Sequence, residues 1–259
     1  MPQPITTFRR YELELKSAMT KCMDSPSSKA VHRLRSTTRR LEATLELLIL
    51  TAGLTALSAK SKAFRKSLGK LRRTAGHVRD LDVHLELLAA NKAASDMDRL
   101  KHDLAAARTK KSVNLQHRIK KDKHEILRAL DKLERTLAPK SDLELSGGAI
   151  TDAAQNWLTP AIHGLDLHSN DDLHSIRKAC KTGRYIAEIG KDTSEASSGL
   201  ANRLDDIQRT IGAWHDYLLL LHQVRQTLPD DRPIVQQLHT KVERLRHRAE
   251  TKAARLLIR

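Results

Sequence analysis

Aromatic residues are scarce in this chain, at 3% of the total: two Trp, three Tyr and two Phe. Proteins that grip single-stranded nucleic acid stack bases on aromatic faces, so the shortage favours a bare phosphate backbone over that class of partner. Proline and glycine are also few, 7 and 10 in 259 residues, which excludes collagen-like, linker-dominated and turn-rich all-β chains. The two cysteines, Cys22 and Cys180, are too isolated for a disulfide framework or a zinc knuckle and read as buried thiols. The strongest apolar run, Leu47-Leu48-Ile49-Leu50, falls far short of the roughly 20 residues of a membrane span. Met1 to Arg10 shows no apolar signal segment, so residence in the cytoplasm is the expectation. Acidic residues are in deficit as well. With 47 Lys+Arg against 31 Asp+Glu the formal charge is +16, and a polyanionic partner is the first expectation.

What the chain does have is apolar residues at helical spacing almost throughout, with no alternating stretch long enough for a strand; the expected fold is all-α. Asp24-Ser25-Pro26, Gly53, Gly76 and Asn91 read as breaks, and a long charged helix is predicted from Ser95 to Leu137, ended by Pro139. Ser146-Gly147-Gly148 is the best candidate linker, dividing residues 1–141 from 142–259. Further breaks are expected from Gly164 to Asn170, from Gly190 to Ser198, at Gly212 and from Pro229 to Pro233, before a final helix.

The two halves are alike. Val31-His32-Arg33-Leu34-Arg35 is echoed by Leu173-His174-Ser175-Ile176-Arg177, and Arg39 by Lys181 at the same offset. Leu71 to Asp80 is echoed by Ile207 to Asp216, with Gly76 answering Gly212 and Arg73 answering Arg209. Two elements repeated in order predict a duplicated helical bundle with an internal pseudo-two-fold.

At about 100° per residue, His32, Arg35 and Arg39 fall within about 60° of one another, with Arg40 on the flank. His174, Arg177, Lys181 and Arg184 share about 80° in the second copy. Both stripes lie away from the apolar face, and no acidic residue offsets them at the intervening i+4 positions. One such stripe is the ordinary solvated side of a helix; its duplication points instead to a bound anion. Comparable rows occur at Lys62, Lys66, Lys70 and Arg73, at Lys110, His117, Lys121, His124 and Arg128, and at Lys241, Arg244, Arg248, Lys252 and Arg255.

These strings, His32-Arg33-Leu34-Arg35 with Arg39-Arg40-Leu41, Gly76-His77-Val78-Arg79-Asp80-Leu81-Asp82-Val83, and His174-Ser175-Ile176-Arg177 with Lys181 and Arg184-Tyr185, resemble the CHAD family of α-helical, histidine-containing domains. The resemblance spans roughly Thr7 to Leu256. It implies two four-helix bundles related by internal symmetry and a basic groove that binds inorganic polyphosphate. It implicates His32, Arg35, Arg39, Arg40, His174, Arg177, Lys181 and Arg184, to which the repeated rows add Lys66, Lys70, Arg73 and Arg209. Polyphosphate granules are a location compatible with such a binder. The sequence departs from the pattern at Thr182-Gly183 and at Leu218, which stands where the first copy has Asp82.

Polyphosphate offers spaced charges and no base to read, so a site for it needs guanidinium and ammonium groups and little else. No catalytic residue, cofactor or metal is expected. Glu12-Leu13-Glu14-Leu15-Lys16 matches the ExExK pattern of triphosphate tunnel metalloenzymes, but in a helical period rather than on a barrel strand. His77, Asp80, Asp82 and His84 raise a metal-dependent polyphosphate or triphosphate hydrolase as a lesser alternative; the aspartates read better as partners of arginines. A nucleic-acid binder is the main alternative, and a scaffold for an acidic protein is a third.

Overall fold

The apolar periods become eight α-helices, with no strand among the described residues, 1–51, 55–90 and 96–257 of a computed structural model. They are α1 (Pro4–Asp24), α2 (Ser28–Thr51), α3 (Thr55–Ala90), α4 (Asp96–Leu137), α5 (Gly147–Ile162), α6 (Asn170–Ala187), α7 (Glu195–Arg225) and α8 (Pro233–Leu257). The all-α expectation holds. Gly53 and Asn91 lie outside the described residues.

Local chemistry sets the ends. Pro4 opens α1, where a missing N–H costs nothing. Ser146, Ser169 and Ser194 cap α5, α6 and α7 by accepting from the N–H three residues on, and Asp171 and Asp172 add negative charge to the first turn of α6. Ser146-Gly147-Gly148 is therefore the capped start of α5 rather than a spacer. A Cβ on Gly147 would stand 2.1 Å from that of Ser194, so the start of α5 is pressed against the turn before α7.

Gly76 and Gly212 are not breaks: α3 and α7 run through them without interruption. A glycine inside a helix costs about 0.5–1 kcal/mol relative to Ala, and here each marks a close approach of another helix.

Each helix packs on the next within α1–α4 and within α5–α8, α1 also meets α4, and α2 and α3 meet α6 and α7 across the halves. This is compatible with the expected pseudo-two-fold. One apolar core holds Phe8, Leu15, Leu34, Leu41, Phe64, Leu71, Ile119 and Leu130 with their neighbours; the other holds Leu173, Ile176, Ile186, Leu204, Ile211, Trp214 and Leu238 with theirs. The second core also takes Ala43, Leu47, Leu88, Met97, Leu100 and Leu104 from α2, α3 and α4. Cys22 and Cys180 are buried and unpaired, and burial pushes both thiols up to about 12. No helix among the described residues is long and apolar enough to cross a membrane.

Candidate functional site

Where α2 faces α6, the two predicted stripes come together across a groove of about 940 Å³, edged by α3 and α7. Its walls carry ten Arg and Lys side chains and His32 against four carboxylates, Glu14, Asp80, Asp205 and Asp216.

The repeated strings explain the framework. Arg35 donates from Nη1 to the Gly76 carbonyl at 3.2 Å and lies 3.3 Å from Asp80 Oδ1. Arg177 lies in the corresponding place beside Gly212, with Nη2 3.8 Å from Asp216 Oδ1. The glycines make room for the guanidiniums: a Cβ on Gly76 would lie 3.7 Å from Arg35 Nη1, and one on Gly212 only 3.2 Å from Arg177 Nε. Arg184 is held between Asp205 and Glu188 and stands 4.4 Å over the Tyr185 ring. Arg40 lies between the rings of Tyr11 and Tyr185, at 5.8 and 5.6 Å, and 3.7 Å from Glu188.

Arg39 and Lys181, equivalent in the two copies, differ from these. Both line the groove, and neither has a hydrogen bond or ion pair among the described residues. Burial, then Arg35, lowers Arg39 to about 10. Burial, with Arg177, Arg39 and Arg35 beyond it, pushes the Lys181 ammonium down to about 5 against a weaker opposing pull from Asp216. His32 is exposed at the rim; partial burial, then Arg79, Arg35, Arg40 and Lys181, hold its imidazole below the usual range.

His174 does not line the groove. Its ring stacks on His215 with centroids 4.6 Å apart and its Nδ1 is buried without a partner. Burial, then His215, lowers it to about 4, so it braces the helix that carries Arg177 as a neutral ring. Lys66, Lys70 and Arg73 are on α3 but outside the groove lining, whereas Arg209 on α7 is within it. Neighbouring Arg65 and Arg72 are taken up by Glu46 and Glu42 of α2.

Lys29, Arg33 and Arg79 line the groove without having been singled out. Arg79 was legible as the neighbour of Asp80 in the repeated string; Lys29 and Arg33 sit one turn or less from His32 but off the stripe. Asp82 is buried against Arg108 at 2.9 Å, a structural pair that explains the departure at Leu218, which packs against the second apolar core. Glu12 and Lys16 pair at 2.6 Å along helix α1, so the ExExK string lies on no strand. Among the described residues no cluster of His, Cys, Asp and Glu is arranged to hold a metal ion.

The CHAD domain family model matches residues 17–225. The chain belongs to the CHAD family. This CHAD domain superposes on the crystal structure of the CHAD domain from the plant Ricinus communis with a TM-score of 0.70 at 16% identity, covering 96% of this chain and 90% of that one. It also resembles PptA from Streptomyces chartreusis, with a TM-score of 0.52 at 17% identity over 97% and 96% of the two chains. At such identities the likeness shows the fold alone. No curated protein matches the chain.

Proposed function

We propose that the groove of this CHAD domain holds inorganic polyphosphate without cleaving it, as a binding or targeting module. The observation that carries this reading is the pair Arg39 and Lys181, two repeat-equivalent basic side chains in the groove with no acceptor of their own among the described residues. A partly buried basic group with no partner is costly to charge, and a strand of phosphates supplies the missing counter-charge along the groove. Arg35, Arg177 and Arg184 are braced by Asp80, Asp216 and Asp205 of the groove wall, which leaves them positioned while ten Arg and Lys against four carboxylates keep the groove basic. The paucity of aromatic side chains fits a ligand with no bases to stack.

A competition titration tests the reading. Long-chain polyphosphate is expected to displace duplex DNA, RNA and an acidic polypeptide at matched charge and salt, and to be recovered at its original length. Displacement in the opposite sense would give the groove to nucleic acid, and shortening of the polymer would make the domain a hydrolase. In cells, a tagged copy is expected to collect on polyphosphate granules and to disperse when the polymer is removed.

A further inference from the structure

Two more basic cavities lie on the far sides of the helices that edge the groove. Between α7 and α8, Arg209, Thr210 and Ala213 face His247, Arg248 and Lys252 around about 770 Å³. Between α3 and α4, Thr74 and His77 face Lys111, His117, Arg118 and Lys121 around about 500 Å³. The two cavities are in repeat register, since Thr74 and His77 hold the positions that Thr210 and Ala213 hold in the second copy. They give a place to parts of the basic rows on α4 and α8, which the central groove does not use.

In one respect the copies differ. Arg209 and Ala213 line both the α7–α8 cavity and the central groove, whereas the α3–α4 cavity shares no lining residue with the groove. The ridge of α7 at that point carries only a methyl group, where the first copy carries the imidazole of His77. Arg209 is 70% exposed and tethered by Asp205 at 3.1 Å, so its guanidinium stands between the two spaces. Beyond it Arg248 is exposed and has no ion pair among the described residues, and Lys252 is held by Asp206.

We propose that the α7–α8 cavity is a second segment of one polyanion track: a long polyphosphate strand leaves the groove over Arg209 and Ala213 and continues against Arg248 and Lys252. This rests on the groove being a polyphosphate site, and it adds a preference for chain length. A short oligophosphate is satisfied by the groove alone, while a long strand gains the second set of cations. The α3–α4 cavity, with no shared wall, is off the track and serves as an internal control from which the same number of cations can be removed.

The test compares Arg248→Gln with Lys252→Gln against Lys111→Gln with Lys121→Gln, each removing two cations, using tripolyphosphate and long-chain polyphosphate at one salt concentration. The first double variant is expected to weaken long-chain binding about tenfold, the scale of two lost phosphate contacts, and to leave tripolyphosphate within about twofold. The control is expected to change both ligands slightly and alike. Arg248→Gln alone, which leaves the Lys252–Asp206 pair in place, is expected to show the same selectivity to a smaller degree. Equal losses in the two double variants, or equal losses for both chain lengths, overturn the track while leaving the groove reading intact. With duplex DNA titrated as a third ligand, a loss confined to it gives the cavity to nucleic acid and overturns the track. Failure of the unaltered domain to bind either polyphosphate removes the groove reading and the track together.

Discussion

At the scale of single residues, Lys181 is the most informative group. In the free domain it gives up its proton near pH 5, against about 10.4 in an unfolded chain. Between those values the unfolded chain binds the extra proton, so this group makes stability rise with pH across the window. His174, lowered to about 4, acts with the same sign between there and its ordinary value. A bound polyanion favours the charged lysine, so binding above about pH 5 takes up a proton and affinity falls as pH rises, at most tenfold per unit. Calorimetric titration in buffers of different ionisation enthalpy is expected to show this uptake. Lys181→Met is expected to abolish most of it, to weaken binding about tenfold, and to raise the thermal midpoint of the ligand-free domain by removing a partly buried, unpaired amine. Gly76 and Gly212 supply a second contrast. Gly76→Ala meets Arg35 at ordinary contact distance and is expected to stabilise by about 0.5–1 kcal/mol. Gly212→Ala presses on Arg177 at 3.2 Å and is expected to gain less or to lose, as thermal denaturation of the pair will show.

At the scale of helices, each repeated arginine stitches two elements and faces the groove at once: Arg35 joins α2 to α3, and Arg177 joins α6 to α7. Arg35→Ala with Arg177→Ala is therefore expected to cost about tenfold in polyphosphate affinity per side chain and to lower the thermal midpoint, with helical content by circular dichroism retained. The helices themselves were legible because apolar spacing is a local signal; the serine caps and Pro4 that set their ends are not singled out by it, and Ser146 reads in the sequence as part of a linker. Gly76 and Gly212 misled as breaks because what they accommodate is an arginine from another helix, and no local signal announces it. The site was half legible for a similar reason. A helix has two flanks beside its buried face, and periodicity says that Lys66, Lys70 and Arg73 lie off the core without saying which flank another helix will cover. His174 shares the angular window of its stripe, yet stacking on His215 takes it below the surface that Arg177 and Lys181 present.

At the scale of the whole molecule, the high positive charge makes binding a matter of counterion release. A plot of log affinity against log salt is expected to be steep and negative, and Arg39→Ala with Lys181→Ala is expected to flatten it by about one to two, at roughly 0.7 per neutralised phosphate. The paired cores carry a consequence of another kind. Leu88 of α3 and Met97, Leu100 and Leu104 of α4 are buried with the side chains of the second half. A sequence that reads as one unit written twice is thus not two units when folded, and heating is expected to give a single calorimetric peak rather than two. Cut near Ser141, the C-terminal fragment would lack six side chains of its own interior, Ala43 and Leu47 of α2 among them, and the N-terminal one would present them to water. The two halves share one interior, so neither is expected to keep its shape once severed from the other.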